Sequence, residues 1–266
     1  MITMLFNLME RNRFFSEKAK KIKNKKLWGA KGCQVVMAAR NAEKWLPITL
    51  ASINNAMRNF EWIMHFGDDN SDDNTYKIAK SFSKHTSAKK FNLFKFNKAK
   101  TIAEAKNRVI KESLKYSHDY PAIFMADADD FFTQERPIGL LEVAKSLNAY
   151  FLVGSWYYCT GGEKLLRNAS ESIKKNAFGP WTTLMHADLI PESGKLFYEN
   201  MDAHEDIFLW DEFKAASVEI VPVNSIVACY YNARQGTVSK PVDLDKKIEE
   251  LKKYQYLKSL LCNEKV

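Results

Sequence analysis

Between residues 33 and 126, short apolar segments alternate with longer segments whose apolar residues recur at helical spacing. The pattern predicts four strands, at residues 33–39, 62–67, 91–96 and 122–126. It predicts three helices between them, at residues 42–57, 75–83 and 102–116. Chains that alternate strand and helix form a mostly parallel sheet with helices on both faces. The alternation therefore limits this region to an α/β fold.

The remainder of the chain is less regular. We predict a helix at 138–147, strands at 150–158, 218–223 and 226–231, and a C-terminal helix from residue 245. We find no internal repeat and no low-complexity linker in the 266 residues. The simplest interpretation is one domain at 32–240, preceded by a basic extension at 1–31 and followed by a C-terminal helix at 241–266.

The net charge of +8 is concentrated at the two ends of the chain. Residues 1–31 carry +7 and residues 240–266 carry +2, whereas the part between them carries −1. One interpretation of 1–31 is a basic amphipathic helix in peripheral contact with an anionic membrane surface. The other is a solvated, partly helical extension without a partner. The near-neutral body argues against a nucleic-acid partner.

Cysteine usage and hydropathy indicate the compartment. The four cysteines are far apart and form no Cys-x-x-Cys pair: Cys33, Cys159, Cys229 and Cys262. We therefore expect free thiols in a reducing compartment, the cytoplasm, rather than a zinc site or disulfide framework. No stretch approaches the ~20 apolar residues that span a bilayer. The early charges and the lack of a small-residue cleavage site argue against a signal peptide.

An acidic motif directly follows the strand predicted at 122–126. Asp127, Asp129 and Asp130 lie within four residues and repel one another unless a cation neutralises them. Carboxylate oxygens suit Mg²⁺ or Mn²⁺. The motif therefore suggests a metal–diphosphate site. The alternative is an ordinary loop or helix cap, where aspartate is common.

A second acidic cluster follows the strand predicted at 62–67. Asp68 comes first after that strand, where ligands bind at the carboxyl edge of such sheets, and its carboxylate can accept a hydrogen bond from the N–H of a nucleotide base. The alternative is an Asx-rich turn in which Asp73, Asn74 or Thr75 caps the next helix.

A third acidic pair, Glu205 and Asp206, precedes an apolar segment with helical spacing. An ionised aspartate at a helix start can act as a general base if it faces a cleft. The alternative is an acidic cap at the positive end of the helix dipole.

Together, the three clusters resemble the inverting family 2 glycosyltransferases of the GT-A fold, over about 34–239. The residues that carry the resemblance are 35–41, Leu46, 62–71, Asp73, 105–107, 127–130, 205–206 and Leu209. The resemblance implies a Rossmann-like, mostly parallel central sheet flanked by helices. It implies metal-dependent transfer of a sugar, with inversion, from a nucleoside diphosphate sugar to a hydroxyl acceptor. UDP is the expected nucleotide, and a glycan or lipid-linked acceptor in surface glycan or polysaccharide synthesis is the expected substrate.

The resemblance also implies roles for individual residues. The nucleotide-sugar site would comprise Ala38, Ala39, Arg40, Glu43, Asp68, Lys106, Asp127, Ala128 and Asp129. Asp127 and Asp129 would hold Mn²⁺ or Mg²⁺, and Asp206 would be the catalytic base. The acceptor would meet Glu205, Trp181 and His204. The chain lacks the late histidine of many relatives, and Arg234 is the cation that could serve the diphosphate instead.

Two other functions compete with this interpretation. A nucleotidyltransferase also places acidic residues on an α/β sheet, but it usually has a glycine-rich phosphate loop, which residues 39–43 do not form. A basic nucleic-acid-binding protein would use residues 1–31 and predicts steeply salt-dependent binding. An inactive family member that only binds its ligand is a third possibility.

Overall fold

The structure is a computed structural model that describes residues 2–23, 27–28, 32–160, 163–201, 203–232, 249 and 252–259. The strands are β1 (Cys33–Ala39), β2 (Trp62–Asp69), β3 (Lys90–Phe96), β4 (Ala122–Ala126), β5 (Phe131–Phe132), β6 (Phe151–Thr160), β7 (Glu163–Arg167), β8 (Thr183–His186) and β9 (Val221–Asn232). The helices are α1 (Ile2–Lys23), α2 (Leu46–Met57), α3 (Thr75–Phe82), α4 (Ile102–Ser113), α5 (Glu135–Leu147), α6 (Ala169–Lys174) and α7 (Glu205–Ala215).

Within the described residues, the strands form one nine-stranded sheet in the order β3-β2-β1-β4-β8-β6-β9-β5, with β7 paired to β6. The pairs among β3, β2, β1 and β4 are parallel. β8 is antiparallel to both β4 and β6. The predicted mostly parallel sheet is confirmed, and its parallel half brings the carboxyl ends of four strands to one edge.

The central strands β1, β2 and β4 are almost entirely buried because both of their faces are covered, as parallel sheets require. In β1, Val35 and Met37 belong to the core on one face, together with Leu50 of α2 and Leu140 of α5. Val36 belongs to the core on the other face, with residues of α1, α4 and α7. The helices α1, α4 and α7 therefore share one face of the sheet.

The predicted elements from 33 to 126 agree with the structure to within a few residues. The helix predicted at 42–57 begins at Leu46 because residues 43–45 form a turn, and Pro47 occupies its first turn, where a missing N–H costs no hydrogen bond. The strands predicted at 218–223 and 226–231 are one strand, β9, whose register against β6 shifts beside Gly154 and Ser155. The sequence interpretation missed β5, α6, β7 and β8.

Helix α1 packs against the body of the protein. Its buried residues Leu8, Phe15, Ala19 and Ile22 recur on one helical face. The Phe15 ring meets the Phe213 ring of α7 edge to face, with centroids 4.9 Å apart. Neither interpretation of residues 1–31 included this packing, and the buried apolar face is not available for insertion into a bilayer.

Residues 252–259 lie in the same region. Residues 252–259 are helical, and Leu257 is buried in a cluster with Leu8 and Phe208. The Tyr254 hydroxyl donates a hydrogen bond of 2.7 Å to Asp211 of α7. No helix among the described residues combines the length and hydropathy that a membrane crossing requires.

A side chain of α4 fixes the segment that leads to α7. The Asn107 amide donates to the Phe197 carbonyl (2.8 Å) and accepts from the Phe197 N–H (2.9 Å). Asn107 is 3% exposed, so its loss leaves buried backbone groups unpaired.

We expect Asn107→Ala to lower the free energy of unfolding by about 2–4 kcal/mol, because two buried hydrogen bonds are lost. Denaturant titration of the variant measures this. Asn97→Ala is the control, since the Asn97 side chain is exposed. Equal stability of the two variants would contradict the assignment.

Candidate active site

Two of the predicted acidic residues lie at the carboxyl edge of the parallel strands. Asp68 is the penultimate residue of β2 and pairs with Ala39, the last residue of β1. Asp127 directly follows β4, whose last residue, Ala126, pairs with Met37 of β1. Neighbouring strands are about 4.8 Å apart, so β2 and β4 lie about 10 Å apart on either side of β1. Asp68 and Asp127 therefore flank the end of β1.

A compact charged cluster joins this edge to the start of α7. The Lys106 ammonium of α4 lies 2.8 Å from Oε1 of Glu205 and 3.4 Å from Oδ1 of Asp127. These three side chains are mostly buried, with 14%, 8% and 29% of their surfaces exposed. Asp206 follows Glu205 in the first turn of α7 and is half-buried. The structure thus brings together four of the predicted residues from three separate parts of the chain.

Lys106 is the cation of this cluster. Burial lowers the pKa of the Lys106 ammonium, but the carboxylates of Asp127 and Glu205 outweigh burial and raise that pKa above its ordinary value. Lys106 thus remains charged at neutral pH. The sequence interpretation placed Lys106 beside the nucleotide, and the structure pairs it with Glu205 of α7 and with Asp127.

Asp206 has the proton affinity of a base poised near neutral pH. Burial, and then the neighbouring charge of Glu205, raise the pKa of its carboxyl to about 7. Lys106 and the Ile207 N–H, which donates to Oδ1 at 2.8 Å, act in the opposite direction. A carboxylate with a pKa near the working pH suits general base catalysis.

In the turn at 127–130, two carboxylates are partly exposed and the residues that alternate with them are buried. Asp127 and Asp129 are half-buried, whereas Ala128 and Asp130 are buried. The Ala128 carbonyl accepts a hydrogen bond of 3.0 Å from the Thr49 hydroxyl of α2, which fixes the turn. Asp127 and Asp129 are therefore the accessible oxygen donors of this motif.

This donor set fits a hard divalent cation. Within the part of the chain that the structure describes, no three His, Cys, Asp or Glu side chains are arranged to hold a metal. Mg²⁺ commonly takes only one or two protein carboxylates and completes its coordination with water and phosphate oxygens. One lysine also leaves excess negative charge among Asp127, Glu205 and Asp206, which a divalent cation would offset. Asp127 and Asp129 thus fit Mg²⁺ or Mn²⁺ in the presence of a diphosphate.

Asp68 has a buried carboxylate oxygen, Oδ1, that accepts no hydrogen bond from the described residues. Its Oδ2 accepts the Ser71 N–H at 3.3 Å, while no described donor is within hydrogen-bond distance of Oδ1. The side chain is fully buried. A buried carboxylate oxygen without a partner is costly, so this atom suits a ligand N–H. Asn70, which follows in the loop, has φ 54°, a conformation that asparagine tolerates.

The first loop of the sheet, residues 40–43, is tied to the loop after β2. Oε2 of Glu43 accepts both the backbone N–H and the side-chain amide of Asn74, each at 3.0 Å. The Glu43 N–H donates to Asp73. Arg40 is exposed and lies 4.0 Å from Asp72. Glu43 therefore joins the two loops, and Arg40 is exposed directly after β1.

The predicted acceptor residues lie in different surroundings. Trp181 is 7% exposed, stacks on Tyr231 with centroids 4.8 Å apart, and meets Trp156 edge to face. His204 is half-buried next to Glu205, has φ 62°, and lies 5.8 Å from the Tyr254 ring. His204 is thus beside the charged cluster, whereas Trp181 is part of a packed aromatic group. Arg234 is outside the described residues.

The sequence interpretation missed a buried arginine behind the 127–130 turn. Arg136 of α5 is fully buried, donates to the carbonyls of Met125 (2.9 Å) and Thr183 (3.0 Å), and stacks 3.8 Å over the Phe132 ring. Burial lowers the pKa of its guanidinium to about 9, and Asp130 counteracts this. An arginine on the apolar side of a helix directly after the acidic motif is the signal that could have indicated it.

Comparisons with solved structures place the fold among known proteins. The chain resembles S. aureus TarS 1-349 in complex with UDP, with a TM-score of 0.65 and 14% sequence identity. This match covers 86% of the chain and 65% of the TarS structure. The complex with UDP-GlcNAc gives a TM-score of 0.65 and 15% identity, covering 85% and 66%. The chain thus spans just under two thirds of those structures, and the predicted GT-A fold is confirmed.

Sequence comparison gives the family. Curated proteins yield no significant match to the chain. The sequence model of glycosyl transferase family 2 matches residues 34–189, which include all of β1 after Cys33, together with Asp68, Lys106 and the 127–130 motif. This match covers more than half of the chain, and it favours a glycosyltransferase over a nucleotidyltransferase or a nucleic-acid-binding protein. The chain belongs to glycosyl transferase family 2.

Proposed function

We propose that this glycosyltransferase is metal-dependent and transfers a sugar from a UDP-sugar to a hydroxyl acceptor, with inversion at the anomeric carbon. The observation that carries the proposal is the charged cluster at the carboxyl edge of the sheet. It combines two accessible carboxylates, Asp127 and Asp129, with a separate carboxylate, Asp206, whose pKa is about 7. The expected acceptor is a glycan or lipid-linked glycan in surface polysaccharide synthesis.

The donor would lie across the carboxyl ends of β2, β1 and β4. Oδ1 of Asp68 would accept an N–H of the uracil ring, since this buried atom lacks a described donor. Ala38 and Ala39 would line the base with short side chains. The diphosphate would extend toward Asp127 and Asp129. The TarS structures with UDP and UDP-GlcNAc, which have the same fold, support a UDP-sugar donor.

Asp206 would act on the acceptor. The acceptor hydroxyl oxygen attacks the anomeric carbon while the bond from that carbon to the diphosphate breaks, and UDP leaves. The hydroxyl proton passes to Asp206. A single displacement of this kind inverts the anomeric configuration, and it needs only one protein carboxylate as base, in contrast to the carboxylate pair of glycosidases.

The leaving group requires charge stabilisation rather than a proton. Asp127 and Asp129 would hold Mn²⁺ or Mg²⁺, which when bound neutralises negative charge on the diphosphate. Lys106, already charged and 3.4 Å from Asp127, would add a fixed positive charge. Glu205 keeps that ammonium in place and so connects the donor side of the site to the base.

A donor panel tests the proposal. UDP-sugars are incubated with the protein and Mn²⁺, Mg²⁺ or EDTA, and UDP release is measured with and without glycan acceptors. We expect release that requires the metal, and a product whose anomeric configuration, determined by NMR, is opposite to that of the donor. Metal-independent release or retention of configuration would contradict the proposal.

The pH dependence of transfer should report the titration of Asp206. The base is active only when ionised, and its pKa is about 7. We therefore expect kcat to be constant above about pH 7 and to fall about tenfold per pH unit well below it. A pH–rate profile at saturating donor measures this. A kcat that remained flat down to pH 5 would exclude Asp206 as the base.

A further inference from the structure

Arg11 of α1 makes four hydrogen bonds on the sheet face that carries α7. Its Nε and Nη2 donate to the two carboxylate oxygens of Glu212, at 2.6 and 2.7 Å. Its Nη1 and Nη2 also donate to the carbonyls of Lys195 (2.8 Å) and Leu196 (2.7 Å). The Glu212 side chain is fully buried and that of Arg11 is 15% exposed. This planar, bidentate geometry fixes both partners in orientation as well as distance.

The Arg11 contact is the second of two ion pairs on one face of α7. Glu205 and Glu212 are seven residues apart, which is nearly two turns, so they project from the same side of the helix. Lys106 of α4 pairs with Glu205 at 2.8 Å, and Arg11 of α1 pairs with Glu212. Helix α7 is therefore held near both ends by cations from two other helices, with Asp206 next to the first pair.

The segment that leads into α7 is fixed from the same two helices. Arg11 binds the carbonyls of residues 195 and 196, whereas Asn107 of α4 pairs with the backbone of Phe197. The Thr101 hydroxyl, at the start of α4, donates to the Glu199 carbonyl at 2.6 Å. Arg11 thus connects this segment directly to α7, and no residue of the family-matched range 34–189 makes that connection through Glu212 among the hydrogen bonds described.

We infer that Arg11 is a positioning residue for transfer, which sets the orientation of α7 and thereby the place of Asp206 opposite the donor. This inference rests on the proposed role of Asp206 as base. Buried ion pairs seldom stabilise a fold more than apolar side chains of similar volume do, so stability alone explains the pair poorly. Orientation explains it better, since a displacement of about 1 Å can cost about 10²-fold in rate. Helix α1 therefore contributes to the geometry of the transferase site through Arg11.

Variants at both ends of the ion pair test the inference. Arg11→Met leaves Glu212 buried without its cation, whereas Arg11→Met/Glu212→Met replaces both charges with apolar side chains. Arg11→Lys keeps the charge but loses the planar fork. Arg13→Met is the matched control, because Arg13 is on the same helix with 81% of its side chain exposed and pairs only with Glu17 among the ion pairs described.

Three measurements are made on each full-length variant: Tm, kcat with KM for the donor, and hydrogen exchange of the amides in 195–199 and 205–215. We expect the double variant to recover the Tm that Arg11→Met loses, but to retain a kcat about 10²-fold below wild type with KM for the donor unchanged. Exchange in both segments should be faster in Arg11→Met and in the double variant. Arg11→Lys should recover part of kcat, and Arg13→Met should match wild type.

The outcomes separate this inference from the proposed function. A double variant that recovers kcat together with Tm would show that the pair serves stability alone and would overturn the inference. If the wild-type protein transfers no sugar from any UDP-sugar, the proposed function fails. Hydrogen exchange still tests whether Arg11 holds α7 and the 195–199 segment in place. Unchanged exchange in α7 of Arg11→Met would then overturn it, and faster exchange confined to 195–199 and 205–215 would support it.

Discussion

Asp206→Asn is expected to reduce kcat for sugar transfer by about 10²–10⁴-fold, the range that a positioned general base contributes. The amide keeps the size of the carboxylate but cannot accept the acceptor's proton. KM for the donor should change little, because Asp206 is proposed to act on the acceptor rather than to bind the nucleotide. Initial rates at saturating donor and acceptor measure the effect, with UDP binding by calorimetry as the second readout.

Stability distinguishes this loss from misfolding. Because burial and Glu205 raise the pKa of Asp206 to about 7, ionisation of this carboxyl opposes folding. The folded state therefore loses stability through this group as the pH rises from the ordinary carboxyl range through about 7. Asp206→Asn cannot ionise, so its Tm at pH 8 should equal or exceed that of wild type.

The same substitution elsewhere on α7 is the control. Asp211 is on the same helix, with 11% of its side chain exposed, and accepts hydrogen bonds from Tyr254 (2.7 Å) and Asn176 (2.6 Å), outside the charged cluster. Asp211→Asn should retain kcat. A rate loss in Asp211→Asn as large as that in Asp206→Asn would assign the effect to helix packing rather than to the base.

The central sheet could be predicted because its signal is local. Strands β1 and β4 are short, mostly apolar runs buried on both faces, and the acidic motif directly follows β4. The packing of α1 could not be predicted, since it depends on Glu212, which is 201 residues away from Arg11 in the chain. The stripe of Leu8, Phe15, Ala19 and Ile22 was visible in the sequence, but a membrane or solvent would account for it equally well.

The candidate active site was likewise predictable only where its signal is local in the sequence. The acidic residues could be placed at one edge because parallel strand ends coincide there. Their partners could not, since spacing along the chain does not show that Lys106 lies between Asp127 and Glu205. Glu43 is a second example: the resemblance places it in the nucleotide-sugar site, but its hydrogen bonds from Asn74 could not be predicted from the sequence. Such pairings depend on which loops meet after folding.

Asp129→Asn is expected to abolish the effect of Mn²⁺ on UDP binding and to lower kcat by about 10²–10³-fold. Charge stabilisation by a metal is worth several kcal/mol in transfer reactions, and each 1.4 kcal/mol is a factor of ten. Asp129 is the informative position because Asp127 also pairs with Lys106, so that Asp127→Asn would remove an ion pair as well as a ligand. Calorimetric titration of UDP in Mn²⁺ and in EDTA, on wild type and variant, measures the metal effect.

Loss of the Mn²⁺ effect on UDP binding in Asp129→Asn would assign the metal to the 127–130 turn. If Asp129 holds the cation, Asp129→Asn should bind UDP in Mn²⁺ only as well as wild type does in EDTA. Its affinity for UDP in EDTA should equal that of wild type, because Asp68 and the rest of the uracil site are intact. Asp72→Asn removes an equal charge from the other acidic cluster, with 76% of the Asp72 side chain exposed, and should leave the Mn²⁺ effect unchanged. If Mn²⁺ strengthens UDP binding equally in Asp129→Asn and wild type, the cation is held elsewhere. If Asp72→Asn weakens UDP binding in Mn²⁺ as much as Asp129→Asn does, total negative charge rather than coordination accounts for the metal effect.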